Sequence, residues 1–453
     1  MSVSAPADLS TKAQALLDEM ESTLARAVPV TARGRVSKTV GMLIHAIGIQ
    51  AHVGELCELV TPGAPRLWAE VVGFENNTCI LTPLGSTAGL STATEVRPSG
   101  RGHVCPVGPE LLGRVIDALG DPMDSLGPLK VVARWPAHRE PVSPLARQMV
   151  SEPMTTGLRA IDGLLTLGVG QRMGVFAPPG VGKSTLLGMV ARQAQADVNV
   201  IALLGERGRE VREFIENSLG EEGLKKSVII VATGDQAALI RARGALVATA
   251  IAEYFRDQGK QVLLMVDSIT RVAMAWREIG LAVGEPPATR GYTPSVFALL
   301  PRIFERAGTA EIGSITALYT VLVDGDDHEE PVADAIRSIL DGHIVLSRDI
   351  ASKGHFPAID ILRSVSRCMP DVVSREHVLA ARELVAQMAL YRENEDLVTL
   401  GAYQQGANAK LDVAIKLRGV LDSFLRQDRL DSSSFEQAVG ALAMLAAEAG
   451  KGR

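Results

Sequence analysis

Apolar positions change rhythm four times along the chain. Between Leu9 and Ala27 they fall at Leu9, Ala13, Leu16, Leu17, Met20, Leu24 and Ala27, the spacing of one helix face, with Ser10 or Thr11 placed to cap it. Such a stripe either docks on its own domain or serves as a partner-binding arm. From Arg33 to Pro98 the runs shorten to strand length: Gly34-Arg35-Val36, Met42-Leu43-Ile44, Gly54 to Val60, Leu67 to Phe74 and Cys79-Ile80-Leu81. Gly, Pro and Asn76-Asn77 turns separate them, a pattern that predicts a small antiparallel barrel.

Residues 100–151 are rich in Pro and Gly and read as a connection. Beyond them, apolar runs at Met173–Phe176, Val198–Leu204, Val228–Ala232, Val262–Val266 and Ile315–Val323 alternate with helical patterns, which predicts a mostly parallel α/β sheet. From Ser374 the pattern is helical, over Ser374–Arg392, Lys410–Gln427 and Ser433–Ala447. The last opens on Ser433-Ser434-Phe435-Glu436, read as a capping box. The expected division is 1–30 as a helical arm, 31–98 as the barrel, 99–373 as the α/β domain and 374–453 as a helical domain.

Composition narrows the function. A chain of 453 residues exceeds one hydrophobic core, and 47% hydrophobic with 22% charged residues suits several globular domains. A net charge of −6 argues against a protein built to hold a nucleic-acid backbone. Cys57, Cys79, Cys105 and Cys368 are scattered without CxxC pairing, as free thiols in a reducing cytosol would be, and offer no metal cluster. The eight histidines lack ligand spacing. No run of about eighteen apolar residues occurs, and the start lacks a signal-peptide pattern, so a soluble protein retained in the cell is expected.

The chemistry gathers where apolar runs stop, as it does in open parallel sheets. Ala177-Pro178-Pro179-Gly180-Val181-Gly182-Lys183-Ser184-Thr185 fits the phosphate-cradling GxxxxGK[ST] loop except at Ala177, which must sit at a φ an L-residue tolerates. Lys183 would reach the β- and γ-phosphates of a nucleotide, and Ser184 would offer its hydroxyl to Mg²⁺. Asp267 ends the run Val262–Val266 either as a second Mg²⁺ ligand or as a cap for the next helix. Glu206, directly after the Val198–Leu204 run, is placed to orient and polarise an attacking water, whereas Glu210 and Glu213 read as a solvated helix face with Arg209 and Arg212. Further on, Arg363 or Arg367 would neutralise charge developing in a transition state. Phe356 reads as core or as a stacking surface for a purine. Asp324-Gly325-Asp326-Asp327-His328-Glu329-Glu330 lacks calcium-loop spacing and reads as a charged turn.

Three longer motifs add a resemblance. Gly205-Glu206-Arg207-Gly208-Arg209-Glu210-Val211-Arg212-Glu213-Phe214, the Pro286–Ser295 segment and Asp341–Arg348 resemble the type III protein-export ATPases of flagella and injectisomes, cousins of the catalytic subunits of rotary ATP synthases. Pro357–Ser366 is similar to a motif shared across that superfamily, and the likeness runs from about Gly34 to Gln427. The resemblance implies an α/β, RecA-like P-loop ATPase core with a small N-terminal β-barrel and a C-terminal helical domain. It implies ATP and Mg²⁺ as ligands, with Pro179, Gly180, Val181, Gly182, Lys183, Ser184 and Thr185 around the phosphates and Ser184 and Asp267 on the metal. It makes Glu206 the catalytic carboxylate, Arg207 a nearby site residue, Arg367 the finger entering a neighbour's site, and Phe356 and Tyr403 the walls around adenine. It further implies a homohexamer, a stator-type regulator on the N-terminal helix, and a central stalk, export chaperones and secreted substrates at the C-terminal helices. Such a protein works in the cytoplasm, peripherally at an inner-membrane export gate, without nucleic acid. The competing readings are a subunit of a rotary proton-translocating ATPase and an RNA translocase resembling Rho.

Overall fold

The computed structural model describes residues 33–131, 133–323 and 330–450, together with Gln14, Leu16, Leu17 and Met20. Those four are helical and exposed; the rest of the Leu9–Ala27 stripe lies outside the described residues. So does the acidic run from Asp324, apart from Glu330, whose carboxylate accepts the Ala333 N–H at 2.8 Å and caps the next helix.

Six strands, Gly34–Val40, Leu43–Ile47, Glu55–Val60, Leu67–Glu75, Thr78–Pro83 and Glu95–Gly102, close into an antiparallel barrel. Alternate residues point inward, so Val36, Ile44, Cys57, Leu59, Val71 and Leu81 fill its interior. The sixth strand runs to Gly102, past the expected boundary at 98. Arg97-Pro98-Ser99-Gly100-Arg101 carries no apolar alternation, and its pairing partner Glu55–Val60 alone defines it as a strand.

The α/β domain holds a nine-stranded sheet. Along its main path the order is Val365–Ser366, Gly342–Val345, Arg172–Ala177, Ser314–Leu322, Gln261–Asp267, Val198–Leu204, Ser227–Ala232 and Val115–Asp117. All these pairings are parallel except at the Val365–Ser366 edge. Val115–Asp117 belongs to the stretch read as a mere connection; three residues between Gly113 and Gly120 are too few to show a period.

The near-continuous apolar runs are explained by two covered faces. Val198, Val200, Ala202 and Leu204 pack with helices Ala238–Asp257 and Ile269–Ala282, whereas Ile201 and Leu203 face the opposite layer with Leu186, Leu187 and Val190 of the Lys183–Gln193 helix. That second layer is shared with the C-terminal helices Arg375–Thr399, Ala409–Leu425 and Phe435–Gly450, through Leu384, Leu417, Leu421, Phe424 and Leu442. The helical domain and the P-loop helix thus have one core.

Local caps set the helix starts. Ser374 accepts from His377 N, and Asn408 accepts from Lys410 N and Leu411 N. The capping box of the last helix is Ser434 with Gln437, not Ser433 with Glu436: Gln437 N donates to Ser434 Oγ at 3.2 Å and Ser434 N donates to Gln437 Oε1 at 3.0 Å. Ser433 is held outside the helix because its N–H binds the Gly157 carbonyl. The four cysteines are unpaired. Burial pushes the Cys57 and Cys105 thiols up to about 12, which keeps both inert near neutral pH. Among the described residues no helix is long and apolar enough to cross a membrane, and no His/Cys/Asp/Glu cluster is ready to hold a metal.

Buried charge pairs fix the long helix. Arg306 donates to both carboxylate oxygens of Glu253 at 2.8 and 2.9 Å, with both side chains at least 97% shielded. Arg243 pairs with Glu70 of the barrel and ties the two domains. Glu253→Ala leaves the Arg306 guanidinium buried without its partner and is expected to cost about 3–5 kcal/mol. Urea unfolding followed at the α/β-domain transition measures it; a loss below ~1 kcal/mol would show that the pair contributes little beyond its own desolvation.

Candidate active site

The P-loop begins where the Arg172–Ala177 strand ends. Ala177 keeps extended backbone, so the position often held by glycine accepts a methyl group without strain. Gly180 and Gly182 do need glycine's freedom, at φ +81° and +89°. Gly182 caps the Lys183–Gln193 helix, whose first N–H groups have no carbonyl partner within the helix. Pro179, Gly180, Ser184 and Thr185 are exposed over the buried Val181, and no atom lies within 4 Å of where a Gly180 side chain would be. The loop is an open cradle.

Lys183 turns away from solvent. Its ammonium donates to Asp267 Oδ1 at 2.5 Å and to Glu206 Oε1 at 3.2 Å. Strand register makes this possible: Leu203 pairs with Asp267, and the P-loop strand ends beside Leu322, so the three chain segments arrive at one rim of the sheet. Thr320, on the strand between the P-loop strand and that of Asp267, donates to Asp267 Oδ1 at 2.7 Å. Sequence reasoning passed over Thr320, because threonine in a strand ordinarily reports β-propensity. Its only signal was a hydroxyl in a run otherwise apolar but for Thr316 and Tyr319.

The electrostatics suit phosphate chemistry. Burial opposes the charge on Lys183, but Asp267 and Glu206 outweigh it and its pKa rises, so the ammonium persists. Glu206 is raised too: burial is the largest cause, Lys183 pulls the other way, and Asp267 together with a hydrogen bond to Glu210 adds to burial. With both acids ionised, two carboxylates face one ammonium, a net charge of −1. A divalent cation would offset that charge as a polyphosphate joins the cluster, and the Ser184 hydroxyl and the Asp267 carboxylate are hard oxygen ligands of the kind Mg²⁺ prefers. The remaining positions would be filled by phosphate and water.

The other candidate residues are placed unequally. Phe356 is 47% exposed and its ring lies over the P-loop, 3.6 Å from where a Gly182 side chain would begin, which overturns the core reading. Arg207 is not drawn into the cluster; its side chain is 84% exposed, 4.0 Å from Glu210, because it precedes the Gly208–Glu213 helix on the outer side of the turn. Tyr403 is engaged inside the helical domain, its hydroxyl 3.0 Å from the Asn408 carbonyl and 2.9 Å from Asp412 Oδ1. Arg367 lies at the opposite rim. Its N–H binds the Asp341 carbonyl beside Arg172, at the start of the P-loop strand, roughly 16 Å from the loop at ~3.3 Å per residue. Arg363 is intermediate along the same edge, its carbonyl accepting from His343 Nε2 at 3.0 Å.

A P-loop lysine facing two strand-end carboxylates, on a parallel sheet flanked by a barrel and a helical domain, defines a RecA-like P-loop ATPase. Comparison with known proteins resolves this class further. The chain matches the ATP synthase alpha/beta family beta-barrel domain over residues 36–100, that family's nucleotide-binding domain over 157–366, and the T3SS EscN ATPase C-terminal domain over 373–444. It is 48% identical to the flagellum-specific ATP synthase of Bacillus subtilis, covering 96% of this chain and 99% of the relative. It is 50% identical to the type 3 secretion system ATPase of Sinorhizobium fredii, covering 95% of each. The assembled ATPase EscN from the type III secretion system of enteropathogenic E. coli is 45% identical with a TM-score of 0.87, over 91% of this chain and all of that one. The chain belongs to the family of flagellar and type III secretion ATPases, and it is an ATPase.

If Glu206 is the group that accepts a proton in the reaction, only its ionised form can do so, and activity would be lost as pH falls through its raised pKa. The acid limb of kcat/KM for ATP hydrolysis is therefore expected above the ordinary glutamate value of 4.5, and Glu210→Ala, which removes one cause of the rise, is expected to move it to lower pH. A limb at or below 4.5, read from a pH–rate profile, would contradict Glu206 as the titrating base.

Proposed function

We propose that the protein hydrolyses Mg²⁺-bound ATP to power or gate the export of unfolded proteins through a type III apparatus, flagellar or injectisome. The observation that carries the chemistry is the convergence of Glu206 and Asp267 on the Lys183 ammonium, at the mouth of an open P-loop. When ATP binds, its phosphates take over the Lys183 ammonium, which frees Glu206 to orient a water for in-line attack. Ser184 and Asp267 would hold Mg²⁺, which when bound would supply positive charge against the phosphate oxygens. Phe356, above Gly182, serves as the platform for the base. Tyr403 and Arg207 belong to the site only if they move towards it; their roles rest on the family likeness.

Arg367 cannot serve its own chain's Lys183 from the far rim. A homohexameric ring, in which each subunit gives Glu206 to its own site and Arg367 to the next, completes the constellation. EscN, which resembles this chain at 44% identity and a TM-score of 0.85 in that structure, has been solved in complex with its central stalk EscO. We extend a central stalk to this protein, with its helical domain as the contact. Chaperones and secreted substrates meet the same domain, a stator-type regulator meets the first thirty residues, and the ring works in the cytoplasm against the export gate of the inner membrane. The C-terminal match favours export over a rotary synthase subunit.

Lys183→Ala and Glu206→Gln are each expected to reduce ATP turnover by at least ~10². Glu206→Gln is expected to retain nucleotide binding, because it removes charge without removing the cradle; equal loss of binding in both variants would contradict separate roles. Arg367→Ala and Glu206→Gln subunits are each expected to be inactive alone, yet mixing them restores turnover, since about a quarter of randomly formed interfaces pair an intact base with an intact finger. Failure of mixed subunits to recover activity would exclude a finger acting across the interface.

A further inference from the structure

Phe356 does not sit over the P-loop by its own contacts alone. Its carbonyl accepts the Gln427 N–H at 2.9 Å, and Gln427 is a glutamine only 5% exposed, lying just past the end of the Ala409–Leu425 helix. Every polar group of that side chain is used. Its Oε1 accepts the Arg159 N–H at 3.0 Å, and its Nε2 donates to the Gly157 carbonyl at 2.7 Å and to the Asp431 carbonyl at 3.1 Å. A fully satisfied buried amide of this kind has one arrangement available to it, since any shift leaves a donor or acceptor unpaired.

The loop carrying Gln427 is gripped at its other end by the P-loop helix. Gln193 Nε2 donates to the Asp431 carbonyl at 2.6 Å, and Arg192 donates to the Arg429 carbonyl. Both residues lie in the last turn of the helix that Lys183 begins. The chain of contact therefore closes: P-loop, its helix, the loop at 426–433, Gln427, the Phe356 carbonyl, and the Phe356 ring back over Gly182.

We propose that Gln427 is the positioning residue for the base platform, fixing Phe356 against the P-loop so that the helical domain's placement is read out as nucleotide affinity. This rests on the reading of Phe356 as the surface under the base. An aromatic ring misplaced by a small shift loses stacking with the base while the phosphate grip persists, so the signature is in KM and not in kcat.

The test uses the full-length protein and four variants, read as KM and kcat for ATP, together with one double variant. Gln427→Ala, and Gln427→Met as a volume-keeping second variant should the first not fold, are expected to raise KM about tenfold with kcat within about twofold. Phe356→Ala is expected to raise KM at least as much, and the Gln427→Ala/Phe356→Ala double variant to be no worse than Phe356→Ala alone, because the two act as one unit. His377→Ala removes a buried ring bond to the Gly163 carbonyl elsewhere in the seam of the helical domain, touching neither Gln427 nor Phe356, and is expected to leave KM unchanged. Multiplying effects in the double variant, or a tenfold rise in KM for His377→Ala, would assign the effect to general docking of the helical domain and overturn the proposal. So would an unchanged KM in both folded Gln427 variants. Were Phe356→Ala itself to leave KM unchanged, the base-platform reading would fall first.

Discussion

An ammonium held between two largely buried carboxylates is costly to assemble and easy to disturb. Lys183 loses water on entering the pocket, and only the two acids offset that loss. The arrangement stores a site in waiting: Asp267 is steadied by the Thr320 hydroxyl, Glu206 by its position beside a strand end, and the lysine by both. An arriving polyphosphate competes with the carboxylates for the same cation. Parallel register between the P-loop strand, Ser314–Leu322, Gln261–Asp267 and Val198–Leu204 is what holds the three partners at one rim.

Much of this was legible in the residues. The P-loop, the strand-end acids and the alternation of strand and helix follow from local pattern, because buried parallel strands must be apolar on both faces and their ends must carry whatever chemistry the domain has. Some features left no such trace. The strands Glu95–Gly102 and Val115–Asp117 exist because of their partners, and no period in their own sequences announces them. The capping box slipped by one residue because Ser433 and Ser434 offer the same chemistry, and the choice was made by the Gly157 carbonyl, far away in sequence.

The site itself shows the same division. By pattern Phe356 reads first as core and only second as a binding surface, since pattern does not say which side of a ring meets solvent. Thr320 and Gln427 escaped notice because a threonine in a strand and a glutamine after a helix are ordinary until their partners are known. Arg207 was close to Glu206 in sequence and is turned outward in space, because neighbours along a turn project to different sides.

The distance between Arg367 and Lys183 has an arithmetical side. If each complete centre needs one edge from one subunit and one loop from the next, an open string of n subunits has n − 1 centres, and joining its ends supplies the last. A lone subunit has none. Fuel consumption is then tied to geometry of assembly, and a cell that makes the protein ahead of its machine is spared futile burning for as long as the copies stay apart.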